Sequence, residues 1–126
     1  MKRYFPFSII ICLIIFACTR EAAIEPDTAK PEIKVVYPLD VPELPQGFPL
    51  CMRWMVTDNT SLAAVWMEIN DGSGFRKEYP LTGKSIEVTE KYYAPAGISG
   101  NFKASFFATD EAGNTASGEI KFVLNN

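Results

Sequence analysis

"LCMRWMVTD", residues 50–58, decides the fold class. In an extended chain Leu50, Met52, Trp54 and Val56 fall on one side and Cys51, Arg53, Met55 and Thr57 on the other, the period of two that a half-buried strand requires. An amphipathic helix would need apolar residues recurring every three to four positions, and no stretch between residues 31 and 126 supplies that pattern. The same alternation returns three times. Val65, Met67 and Ile69 oppose Trp66 and Glu68; Phe102, Ala104, Phe106 and Ala108 oppose Lys103, Ser105, Phe107 and Thr109; Ile120, Phe122 and Leu124 oppose Lys121 and Val123. Sliding any of these strands by one residue would turn its apolar set outward, so each register is well specified.

Shorter strands read at Ile33 to Tyr37, at about Gly74 to Tyr79 and at Ser85 to Val88. Turn chemistry separates them: Pro38 to Gly47, "DNTS", "NDGSG", "LTGK", "APAGISG" and "DEAGN". About seven short strands punctuated this way over ~100 residues predict an all-β class and an immunoglobulin-like antiparallel β-sandwich, with a small barrel as the other arrangement. Such a length suffices for one domain with its own core, here residues 27–126. In "DGSGF", Gly72 and Gly74 lack a strand-to-helix context and read as a hairpin turn instead of a phosphate loop.

The first residues have a different character. Met1, Lys2 and Arg3 precede a short apolar run ending at Ala17, the charged, greasy and small-residue parts of a secretory signal peptide over residues 1–17. A membrane-spanning helix needs ~20 apolar residues, and this run is too short. Residues 18–26 and the start of "TREAAIEPDTAK" read as a polar linker, and the nine residues from Thr19 to Asp27 extend to ~30 Å. Once the leader is removed, ten basic residues face fifteen acidic ones, a formal charge of −5. A nucleic-acid partner would call for a basic face, and none is present. Cys51 is left as the one thiol available within the domain, a small hydrophobe in a strand, so no intrachain disulfide forms in the mature chain.

Two resemblances extend this reading. Ile15-Phe16-Ala17-Cys18 resembles the lipobox of bacterial lipoproteins, which implies a diacylglyceryl group on Cys18, cleavage after Ala17 and acylation of the new amino terminus. Two or more acyl chains anchor stably where one does not. Thr19 after the cysteine, in place of a retaining aspartate, implies an outer-membrane lipoprotein of the cell envelope. "DTAKPEIKVVYP", "VTDNTSLAAVWMEI" and "GNFKASFFATDEAGNTASGEIKFVL" together resemble bacterial immunoglobulin-like and cadherin-like domains, and more closely a family of small surface lipoproteins with a single such domain. The match spans nearly all of residues 27–124. Phe102 stands where such sandwiches often carry a corner tyrosine, so packing must hold that corner.

For function, composition excludes most catalysis. The absence of histidine removes Ser-His and Cys-His pairs and the commonest zinc ligand, and short loops around a domain of this size leave little cleft for a carboxylate pair to work in. A non-catalytic module is expected. An immunoglobulin-like topology gathers Asp27, Asp58 and Asp110, with Asn59 and Asn114, at one end of the sandwich, where hard oxygen ligands suit calcium. The cadherin-like resemblance implies the same for Asp110 and Asp27, although the Leu-Asp-Arg-Glu segment and Asp-x-Asp pair of cadherins have no counterpart. The competing reading is that Asp58 and Asp110 open turns by accepting backbone N–H bonds, with Gly113 supplying positive φ.

A second candidate surface follows from the strand faces. With Val65 and Phe106 inward, Trp66, Phe107 and Val123 point outward from one sheet and form a candidate patch for a protein or glycan partner, unless the linker, the hairpin between the strands at Val65 and Gly74, or tip residues such as Tyr92 and Tyr93 cover it. On the other sheet Arg53 and Glu87 are placed to pair. The expectation is a lipid-anchored envelope binding or adhesion module, or alternatively a structural subunit of an envelope assembly stabilised by calcium.

Overall fold

The computed structural model describes residues 25–126; the expected leader 1–17, Cys18 and the expected linker up to residue 24 lie outside the described residues. Eight strands follow in order: β1 (Glu32–Tyr37), β2 (Glu43–Leu44), β3 (Leu50–Thr57), β4 (Leu62–Ile69), β5 (Phe75–Glu78), β6 (Ser85–Tyr92), β7 (Gly100–Asp110) and β8 (Thr115–Leu124). They form two sheets, β1-β3-β6 and β2-β8-β7-β4-β5, packed face to face as an all-β sandwich. All pairings are antiparallel except the two-residue β2, which lies parallel to β8.

The alternation of the sequence fills the space between the sheets. Leu50, Met52, Trp54 and Val56 enter from β3; Val65, Met67 and Ile69 from β4; Ala104, Phe106 and Ala108 from β7; Ile120, Phe122 and Leu124 from β8; all are buried. Phe102 is only partly buried at the start of β7, where its ring stacks 5.9 Å from Phe122. At the centre the Trp54 ring lies 4.3 Å from Phe106 and edge-on to Tyr79 at 5.4 Å. Fully burying a valine, leucine, isoleucine, methionine or phenylalanine side chain is worth ~1.5–3 kcal/mol, so the sixteen buried hydrophobic residues, all but two of them larger than alanine, provide the main driving force.

Two features of the strand layout bear on function. First, β2 lies within the segment read as punctuation, bonded through Val123 N–H to the Pro42 carbonyl at 2.9 Å. Second, the strand read at about Gly74 to Tyr79 joins the sheet of β4 and not that of β6. The hairpin at Asn70–Gly74, with Gly72 at φ 83° and Gly74 at φ 73°, is too tight to cross between sheets, so β5 pairs beside β4 with Ile69 opposite Phe75. The connection from β5 then crosses to the other sheet over Tyr79–Lys84, where Gly83 and Lys84 carbonyls accept from Leu62 and Asp58. The consequence is that β6 has β3 as its one sheet neighbour.

Candidate functional site

Asp27, Asp58 and Asp110 arrive at one end of the sandwich from three directions: the approach to β1, the exit of β3 and the exit of β7. One carboxylate oxygen from each lies within 4.8 Å of the others. The local sequence accounts for each position. Asp58 Oδ2 accepts the backbone N–H groups of Thr60 and Ser61, both at 3.0 Å, closing the "DNTS" turn. Asp110 is 1 % exposed, and its two oxygens accept from the Asn114 backbone N–H at 2.8 Å and the Asn114 side-chain amide at 2.8 Å. Gly113 at φ 90° lets the chain reverse so that Asn114 faces back onto Asp110. The Asn114 amide also donates to the Asp27 backbone carbonyl at 3.0 Å, which stitches the approach segment to the β7–β8 turn.

Donors and acceptors do not balance at this end. Asp27 receives Asn59 Nδ2 at 3.0 Å, Thr60 Oγ1 at 2.8 Å and the Ala29 N–H at 3.0 Å, and the Asn59 and Thr60 bonds chiefly hold its carboxyl below the ordinary carboxylate range. The same Thr60 hydroxyl lies 3.0 Å from Asp58 Oδ2, and its single proton serves one carboxylate at a time. Asp58 Oδ1 is buried and accepts no hydrogen bond among the described residues. Among the described residues no lysine or arginine forms an ion pair with any of the three aspartates. Three crowded carboxylates, one with an orphaned buried oxygen, make a donor set of the kind a hard cation such as calcium takes, completed by water and carbonyls at ~2.3–2.6 Å. Asp58 and Asp110 thus close turns, as one sequence reading expects, and the three carboxylates that the calcium reading names lie together.

The outward aromatic residues divide. Trp66 and Phe107 are directly opposite across β4 and β7, stacked with ring centroids 5.2 Å apart and planes 15° from parallel. The Arg76 guanidinium sits 4.9 Å above the Trp66 ring, and Glu68 ties the group by accepting from Trp66 Nε1 at 3.1 Å and Arg76 at 3.2 Å. Val123 does not join them. Phe107 faces Ser117 on β8, six residues or ~20 Å along the strand from Val123, which lies instead beside Glu43 of β2. Tyr92 does not cover the patch either: its ring is core, 3 % exposed, and its hydroxyl donates to Asp71. Tyr93 is 63 % exposed at the end of the sandwich remote from Asp110. That end carries a recess of about 310 Å³ lined by Pro45, Phe48, Ala94, Pro95, Ile98 and Leu124, which sequence reading did not single out. Arg53 and Glu87 pair as expected, at 2.5 Å on the outer face of the smaller sheet.

No protein-family model and no curated protein matches the chain. Among solved structures it is similar to the crystal structure of an engineered protein from the Northeast Structural Genomics Consortium, with a TM-score of 0.53 and 18 % sequence identity. That match covers 78 % of this chain and 21 % of the engineered one, so it reaches only a part of the larger protein and speaks to the fold alone.

Proposed function

We propose that this chain is a non-catalytic, lipid-anchored module of the bacterial cell envelope, held to the outer membrane through Cys18, that recognises a protein or glycan through the outer face around Trp66 and Phe107. The observation that carries this reading is the stacked, half-buried aromatic pair with a guanidinium over it, on the outer face of a sheet. Such a surface offers flat π-faces to a sugar ring or an aromatic side chain and a cation to an acceptor group. The lack of histidine supports the non-catalytic part. The resemblance of residues 15–18 to a lipobox supports the anchor.

The test is retention of the chain on isolated envelope fractions and purified envelope glycans. Trp66→Ala combined with Phe107→Ala should abolish retention while leaving the melting temperature within a few degrees of the parent. Unchanged retention sinks the reading.

A second reading has its own observation. The orphaned Asp58 oxygen among three carboxylates supports a structural subunit stabilised by calcium at the Asp27–Asp110 end. A ligand at one hundred times its dissociation constant adds ~2.7 kcal/mol. For a domain of this size that raises the melting midpoint by ~10 °C or more. The rise should vanish in Asp58→Ala, and superimposable melts in calcium and in chelator would leave the aspartates as turn formers.

A further inference from the structure

The smaller sheet ends in an edge unlike the others. β2 is two residues long and β5 four, whereas β1 carries a bulge between Val35 and Tyr37. Short or bulged edges resist pairing with foreign strands. By contrast, β6 runs eight residues in unbroken register with β3, from Ser85 opposite Thr57 to Tyr92 opposite Leu50. No backbone hydrogen bond links the β6 residues 85–92 to any segment other than β3 among the described residues. One run of N–H and C=O groups along its outer side is therefore open to another strand.

We propose that β6 pairs with β6 of a second copy of this chain, antiparallel and centred on Thr89, joining the two three-stranded sheets into one of six strands. The side chains choose both the partner and the register. Residues directly opposite in an antiparallel pair share a face, so a two-fold pairing must centre on a residue. Centring on Glu87 sets Glu87 against itself, and centring on Glu90 does the same with Glu90. Centring on Val88 pairs Glu87 with Thr89 and leaves Lys91 opposite Ser85. Centring on Thr89 places Glu87 opposite Lys91 twice and Thr89 opposite Thr89, all on the exposed outer face. Opposite charges and threonine pairs facing across strands are favourable, and like charges are not. Lys91 makes no ion pair among the described residues, while Glu87 already holds Arg53, so pairing extends that contact into an Arg53–Glu87–Lys91 row.

One charge on this edge points inward, a usual guard against pairing. Here Glu90 is folded away: its carboxylate takes Lys77 Nζ at 2.7 Å and the Tyr79 hydroxyl at 3.0 Å from across the sandwich, with only 14 % of its side chain exposed. On that inner side the pairing sets Ile86 against Tyr92 and Val88 against Glu90. The two-fold sends the two acidic ends in opposite directions. Copies anchored to one surface therefore pair with their strands lying along it, within reach of a linker that extends to ~30 Å.

The experiment uses the full chain in detergent. Thr89→Cys should be trapped as a disulfide-linked dimer under mild oxidation, well above the unsubstituted chain and above Glu78→Cys on the β5 edge. Glu87→Lys or Lys91→Glu alone turns two attractive pairs into repulsive ones and should raise the dimer dissociation constant in sedimentation about tenfold. The double exchange should restore it, a rescue that simple loss of folding does not produce. A monomer at all concentrations, cross-linking of Thr89→Cys no greater than that of Glu78→Cys, or a double exchange as weak as the single ones overturns the proposal.

Discussion

The two ends of the sandwich handle acidic side chains in opposite ways. At one end both oxygens of the Asp71 carboxylate in the β4–β5 turn are engaged by the chain itself: the Tyr92 hydroxyl donates to one oxygen, and the Ser73 N–H at 2.8 Å and hydroxyl at 2.5 Å donate to the other. At the other end Asp27, Asp58 and Asp110 crowd together, one Asp58 oxygen accepts no hydrogen bond, and no lysine or arginine among the described residues pairs with them. A carboxylate satisfied by its own turn needs nothing from solution, whereas a cluster with an orphaned oxygen gains from a bound ion. The contrast predicts that calcium tunes the stability of one end and leaves the other indifferent.

Removing Asp110 breaks the contrast most severely. Asp110→Ala strips a buried carboxylate from the Asn114 N–H and side-chain amide and leaves the β7–β8 turn to its backbone bonds. Hydrogen bonds to a charged group are worth ~1.5–3 kcal/mol each, so denaturant titration in calcium should record a loss of about 3 kcal/mol. In chelator the loss should be smaller, because deleting one of three unneutralised charges relieves the others. Equal losses in both media would mean that no ion is held there. Tyr92→Phe probes the other end with a lesser effect. The ring keeps its packing against Phe75 at 5.3 Å and Phe122 at 6.1 Å, only the bond to Asp71 goes, and the cost should be about 1 kcal/mol with or without calcium.

How far the sequence foretold these two ends depends on the range of the interaction. The acidic end was legible because its residues sit in turns, and turn chemistry is local: Asp58 and Asp110 close the reversals that their own neighbours require. The inner faces of β3, β4, β7 and β8 were legible for a similar reason, since strict alternation admits one register. What escaped was long-range. The strand starting at Ser85 reads as ending at Val88 because Glu90 interrupts the apolar period, yet β6 continues to Tyr92, since Lys77 and Tyr79 of a distant segment neutralise Glu90. That misplacement made Tyr92 look like an exposed tip when it is core. Pairing of Glu43 with Val123 likewise has no local signal, so the sequence around β2 reads as loop. Val123 points to the expected side, but only the β7–β8 register fixes its distance from Phe107.

Acid titration gives the smallest effect and the finest comparison. Asp27 is held below the usual carboxylate value of 3.8, chiefly by Asn59 and Thr60. Burial acts to raise Asp71, but the bonds from Ser73 and Tyr92 outweigh it, so it too lies below 3.8. A carboxyl with a depressed folded value binds protons more weakly in the folded chain than in the unfolded one. Its contribution is therefore complete above about pH 4 and fades as pH falls through the folded value. Both side chains are partly exposed, so solvent screening keeps each contribution modest. Melting midpoints measured from pH 5 down to pH 2 should fall less steeply in Asp71→Asn and in Asp27→Asn than in the parent. Calcium should separate the two: an ion among the aspartates competes with protons, so it should shift the parent's acid limb to lower pH. In Asp71→Asn that shift should persist in full, because the Asp71 end lies outside the ion's reach, whereas in Asp27→Asn it should shrink with the loss of one of the three carboxylates. An acid limb that calcium moves equally in both variants would show that the two ends do not differ in the way their hydrogen bonds imply.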